Sequence, residues 1–378
     1  MNVRRICKLL VVAASCVTSL SCTPSDADLT LQGSGATFPA PLYKRWFLEY
    51  YQRHPELRVN YTPIGSGAGI RQFTAGLVSF GASDAGMSQK EIDKLPPEFS
   101  GVKLLPLTAG SIVLSYNLPG VTGAVKLSRK AYIGVFLREI TSWDDPEIAR
   151  HNQNLHLPNT PIVVVTRADS SGTTYAFTNH LHALGGDARV GMKWTPGVDK
   201  SVKWIESIAA QGNDGVAALI QLTPGAIGYL EYGYAELAHL PMALLENHAG
   251  NFVAPGPEAS RKALEGATIP KDLQIKVPDP PNNPEAYPIV TYTWLLCRRR
   301  YPDSSVVEYL KKVILYCVED GQKISAELGY IPLPPEVVAK VKEALADIQV
   351  MPESNGKAAG SSAPIARLKH HYGESKSS

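Results

Sequence analysis

The segment Pro161-Ile162-Val163-Val164-Val165-Thr166-Arg167-Ala168-Asp169-Ser170-Ser171-Gly172-Thr173 joins an apolar, β-branched run to a short polar turn. Helically spaced Phe177, Leu181 and Leu184 follow it. A strand, a Gly/Ser/Thr turn and a helix are thus written in one piece. The same design occurs twice nearer the N-terminus. Gly33-Ser34-Gly35-Ala36-Thr37-Phe38-Pro39 leads into Leu42, Trp46 and Tyr50, and Gly65-Ser66-Gly67-Ala68-Gly69 leads into Ile70, Phe73 and Leu77. Further strands are expected at Val59–Pro63, Ile112–Asn117, Ala226–Glu231 and Ile289–Leu296, the last entered through the Pro/Asn-dense loop Pro278–Pro288. Glu336–Ile348 carries apolar residues at helical spacing. Alternation of strands and helices from about 29 to 345 makes the fold class α/β.

Helix starts expose backbone N–H groups without intrahelical partners and carry partial positive charge, so junctions of this kind suit an anion. Glycine lets the backbone approach a ligand, and Ser or Thr hydroxyls add donors. Each loop alone reads more simply as a helix cap. Three of them, one with an arginine, point to an anion site only if they converge in space.

Other chemistries lack their signatures. At 378 residues, with 44% hydrophobic and 19% charged residues, the chain can bury a large core. A net charge of +2 without a basic face gives nucleic acid no electrostatic footing. No Walker lysine follows a loop glycine, and none of the loops reads G-x-G-x-x-G. Ile64 breaks the G-x-S-x-G frame around Ser66, and there is no H-E-x-x-H, so neither a catalytic residue nor a metal ligand is assigned. His180 and His182 would face different sides of a helix, and His370-His371 reads as solvated polar residues.

Gly-Ala-Thr-Phe-Pro-Ala-Pro (35–41), Phe-Gly-Ala-Ser-Asp-Ala (80–85), Arg-Ala-Asp-Ser-Ser-Gly-Thr (167–173), Gly-Asn-Asp-Gly (212–215) and Pro-Gly-Ala-Ile-Gly-Tyr (224–229) occur in that order. With Trp143-Asp144-Asp145 and Leu333–Val338 they resemble the phosphate-binding proteins of high-affinity bacterial phosphate transporters. That resemblance implies a two-lobed type II periplasmic-binding-protein fold. The chain would cross between lobes near Thr108–Asn117 and Tyr229–Ala238, giving lobe I at 29–110 and 236–345 and lobe II at 111–235.

It further implies a non-enzymatic, cofactor-free protein that holds inorganic phosphate by hydrogen bonds and delivers it to the membrane subunits of an ABC importer. Thr37, Phe38 and Ser66 would donate from one lobe, and Arg167, Ser171, Gly172 and Thr173 from the other. Asp169 would orient Arg167. Asp84 would accept the proton that phosphate carries and sulfate lacks. Two departures stand out. Ser170 occupies a position where the family often has Gly, which would strain it if φ were positive, and the second loop has a single serine. An envelope phosphate-ester hydrolase, or an adhesion or sensing protein with a phosphate site, are the rival functions.

The first residues read as export machinery. Arg4, Arg5 and Lys8 precede the short apolar run Leu9–Val17, giving a signal peptide over 1–21. Ser19-Leu20-Ser21-Cys22 resembles a lipobox, so Cys22 is expected to carry lipid ahead of a tether at 22–28. The protein is therefore expected in the periplasm or envelope. Cys297 and Cys317 could form a buried disulfide or stay as buried thiols. The Ser/Gly/Lys/Pro-rich end, 346–378, is expected to be a disordered tail.

Overall fold

The computed structural model describes residues 29–280 and 283–352; the expected signal peptide, tether and Cys22 lie outside them, as does the tail from residue 353. A mixed sheet forms the frame. In sheet order its strands are Leu57–Pro63, Leu29–Gly35, Phe80–Ser83, Val290–Arg298, Val102–Tyr116, Ala226–Glu231, Val163–Arg167 and Ile208–Ala210. Leu104 to Tyr116 is buried throughout, so this sheet is covered on both faces and its sequence runs apolar instead of alternating.

Val102–Tyr116 extends well beyond the expected strand at Ile112–Asn117 and changes partner along its length. From Val102 to Ser111 it pairs antiparallel with Val290–Arg298, and from Ile112 to Tyr116 with Ala226–Glu231. One continuous strand thereby carries the chain from one half of the sheet to the other. Beyond Glu231 the helix Tyr232–Leu237 follows, and Leu244–Glu246 then pairs in parallel with Lys126–Leu127. Met242 also bridges to Ser115, so residues 242–246 sit with the second half of the sheet. Gln349–Val350 pairs with Arg300–Tyr301, which brings the start of the expected tail onto the fold.

The helices bury the faces their spacing marked. In Ala40–Arg53, Leu42, Trp46 and Tyr50 point inward, and Trp46 donates to the Gly321 carbonyl at 2.7 Å. Burying such aromatic faces is worth about 1.5–3 kcal/mol per large side chain. Cys297 and Cys317 are buried free thiols, and desolvation pushes both well above the ordinary thiol range.

Candidate anion site

The three loops converge. Gly67 N–H donates to the Ser170 carbonyl at 2.9 Å, and Gly172 N–H donates to Ser66 Oγ at 3.0 Å. Arg167 Nη2 donates to Thr37 Oγ1 at 3.1 Å, so residues 130 positions apart touch. Thr37, Phe38, Ser66, Asp84, Ser171 and Thr173 are buried, and the Arg167 side chain is 1% exposed.

Helix capping does not explain the first two loops. Ala40–Arg53 starts after Pro39, and Ser66–Thr74 starts after Gly65 at φ 90°; neither has a side-chain cap. Only Ser171 caps, accepting from Thr174 N–H at 3.1 Å. The N–H groups of Thr37, Phe38 and Thr173 take no partner among the described residues. These are the donors an anion requires.

Arg167 is held in a fork. Its Nε donates to Asp169 Oδ1 at 2.7 Å and its Nη2 to Oδ2 at 2.5 Å. Asp169 Oδ1 also accepts from Gly212 N–H at 3.1 Å. This pair is buried rather than a surface contact of little worth. The guanidinium keeps Nη1 toward Thr173 and Nη2 toward Thr37, at 3.3 and 3.1 Å.

Asp84 faces this donor set. Its Oδ1 accepts from Thr293 Oγ1 at 2.9 Å and its Oδ2 from Thr173 Oγ1 at 3.4 Å. Desolvation pushes its carboxyl up to about 7, against the pull of Thr293, Arg167 and Thr173. The nearby helix, Gln89–Ile92, is capped by Ser88, so Asp84 has no capping role.

Gly172 is required by close approach. A Cβ there would lie 2.6 Å from Ser66 Oγ and 2.7 Å from Asp84 Cβ. Ser170 carries no positive φ, so the strain a glycine would relieve is absent; its side chain packs over Gly67.

Asn213, Thr293 and Tyr229 were not singled out as site residues. Asn213 Nδ2 donates to Thr37 Oγ1 at 2.9 Å from within the Gly-Asn-Asp-Gly motif, whose polarity at a helix start was the available signal. Tyr229 Oη lies 2.7 Å from Thr174 Oγ1 and accepts from Arg167 N–H at 3.3 Å. Thr293, on a buried strand distant in sequence, had no local signal. His180 is structural: Nδ1 lies 2.7 Å from the Pro278 carbonyl and Nε2 lies 3.0 Å from Tyr132 Oη. Burial drives its pKa down to about 4.

A family profile described as a PBP superfamily domain matches residues 22–320. The phosphate-binding protein PstS of Pasteurella multocida is 34% identical over 317 residues, covering 83% of this chain and 89% of the relative. The chain belongs to the phosphate-binding protein family. PstS of Haemophilus influenzae is likewise 34% identical, over 86% of this chain and 95% of its own. Among solved structures, a high-affinity periplasmic phosphate-binding protein, PfluDING, superposes with a TM-score of 0.70 at 23% identity, over 84% and 94% of the two chains. At that identity the likeness speaks for the fold alone, which is type II, as expected. Among the described residues, no helix is long and apolar enough to cross a membrane and no cluster has the composition of a metal site.

Proposed function

We propose that this protein captures inorganic phosphate outside the cytoplasm and hands it to the membrane subunits of an ABC importer. The observation that carries the reading is the buried carboxylate of Asp84 set among donors, with Arg167 tied across to Thr37. Thr37, Phe38 and Thr173 supply N–H donors, Thr37, Ser66, Ser171 and Thr173 supply hydroxyls, Arg167 supplies the rest of its guanidinium with Asp169 orienting it, and Gly172, its N–H bonded to Ser66, lets the loops meet closely. Asp84 accepts the ligand's proton. Membership in a family whose relatives are named phosphate-binding proteins supports the choice of anion.

The two lobes are taken as 29–110 with 236–345 and as 111–235, except that 242–246, bridged to Ser115 and paired with Lys126–Leu127, goes with the second. Under this division ligand residues come from both lobes, so binding favours the closed arrangement through contacts made only there. That arrangement is what the membrane subunits recognise, and binding requires no bond to break. Export, with lipid on Cys22, places the protein on the envelope side.

Calorimetry on the mature protein tests this. Phosphate uptake near one per chain with no sulfate heat is expected; no phosphate heat, or equal heats for both anions, overturns it.

A further inference from the structure

Three tyrosine hydroxyls reach three consecutive carbonyls of the first loop. Tyr61 donates to Ala36 O at 2.6 Å, Tyr234 to Thr37 O at 2.7 Å and Tyr330 to Phe38 O at 2.7 Å. The donors come from separate elements: the strand Leu57–Pro63, the helix Tyr232–Leu237, and the segment just before the bridging residue Ile331. No sequence motif pairs them.

A trans peptide is planar, and its C=O and N–H point in opposite directions. Fixing the Ala36 carbonyl therefore fixes the Thr37 N–H, and fixing the Thr37 carbonyl fixes the Phe38 N–H. These are two of the N–H groups left without partners. The third peptide differs, because residue 39 is proline and has no N–H. The Phe38 carbonyl is thus a bare acceptor on an anion-binding loop, and aimed inward it would repel the ligand. Tyr330 holds it outward. Burial keeps all three phenols above their ordinary range, so they remain protonated donors.

We infer that Tyr61, Tyr234 and Tyr330 are positioning residues for anion binding: they turn the first loop's carbonyls outward and aim its N–H groups at the ligand. This inference rests on the phosphate reading above. The Glu231 carboxyl stands beside Tyr330 Oη at 3.3 Å. The 2.7 Å contact takes the phenol's single proton, so Tyr330 serves the Phe38 carbonyl.

The test compares Tyr61→Phe, Tyr234→Phe and Tyr330→Phe with Tyr316→Phe. The Tyr316 hydroxyl is buried without a partner, so its loss controls for removing a phenol oxygen. Phosphate Kd, thermal melting without ligand and the 31P shift of bound phosphate are read for each. Each loop variant is expected to weaken phosphate about tenfold, as fits a charge-assisted donor set askew, and to move the 31P resonance. Tyr316→Phe should change neither. Tyr61 and Tyr234 are half-buried, so their variants are less exposed to folding loss than Tyr330→Phe. Wild-type binding with unchanged Kd and 31P shift in all three variants, whatever their melting temperatures, overturns the inference. A wild type that does not bind phosphate overturns the proposed function instead.

Discussion

If Asp84 takes the proposed role, sulfate rejection depends on pH, and the size of that dependence follows from its surroundings. Buried among Thr293, Thr173 and Arg167, its carboxyl titrates near 7, against an ordinary value of 3.8. That difference corresponds to about 4 kcal/mol against its charged form. Above pH 7 the residue is a carboxylate and demands a proton from the ligand. Phosphate brings one; sulfate does not. Sulfate can bind only if the solvent protonates Asp84 first, which costs about 1.4 kcal/mol for each pH unit above 7.

Sulfate affinity is therefore expected to rise about tenfold per unit as pH falls from 9 to 7, or about a hundredfold overall. Below 7 the proton is already on Asp84, and the curve should level off. Phosphate affinity should stay nearly flat over the upper range, since its proton travels with it. Competition of sulfate against labelled phosphate, at fixed ionic strength, measures both curves. Asp84→Asn should abolish the sulfate slope and weaken phosphate less than it relaxes rejection of sulfate. A sulfate affinity independent of pH, or a slope that survives in Asp84→Asn, would refute the reasoning.

Two further expectations concern the frame around the site. Gly172→Ala places a methyl 2.6 Å from Ser66 Oγ and 2.7 Å from Asp84 Cβ, so the loops cannot meet as they do here. Overpacking of about 1–3 kcal/mol should weaken phosphate about 10- to 100-fold in calorimetry while ligand-free melting stays put; an unchanged Kd would contradict the contact. Glu231 is fully buried, with Oε1 unpartnered, and desolvation pushes it up to about 8 against the Gly233 and Tyr234 N–H groups. The folded chain thus keeps a proton that the unfolded chain gives up above about 4.5, so its stabilising contribution is lost as pH rises from there to 8. Glu231→Gln should flatten that fall and add as much as about 4 kcal/mol near pH 7.5 in denaturant titrations; a variant no more stable there than wild type would contradict it.

The three converging loops were legible because their residue types and their helix context lie within a few positions of one another. Arg167, Asp169, Ser171, Gly172 and Thr173 form one such unit, and the fold places them together with Thr37 and Ser66. Partners supplied by other elements were not legible. Thr293 holds Asp84 from 209 residues away, and Tyr330 reaches Phe38 across 292. A buried Thr in a strand or a Tyr before an isoleucine has no local mark of its task. The Val102–Tyr116 strand was seen only in its second part, because its first part, with Pro106 at a sheet position, lacks alternation and is buried on both faces. The short helix Gln89–Ile92 ends ahead of Pro96-Pro97, and proline disfavours helix in the residue before it.

The charge balance of the site explains why a carboxylate can sit in it at all. Arg167 is the positive side chain among the assigned ligand residues, and Asp169 neutralises it at 2.5 and 2.7 Å. On the proposed reading the ion pair therefore contributes geometry more than net charge, and attraction for the anion falls to oriented dipoles: the N–H groups of Thr37, Phe38 and Thr173 at two junctions. Dipoles of that kind bind any oxyanion of suitable size. Selectivity must then come from a group that distinguishes protonated from unprotonated ligand oxygens, and Asp84 is the acceptor-only side chain among the assigned residues on that face. In the proposed site, donor loops that attract without discriminating and one buried acceptor that discriminates are complementary parts; removing the acceptor would leave an anion trap, and turning the loop carbonyls inward would leave a selective site with nothing to hold the ligand.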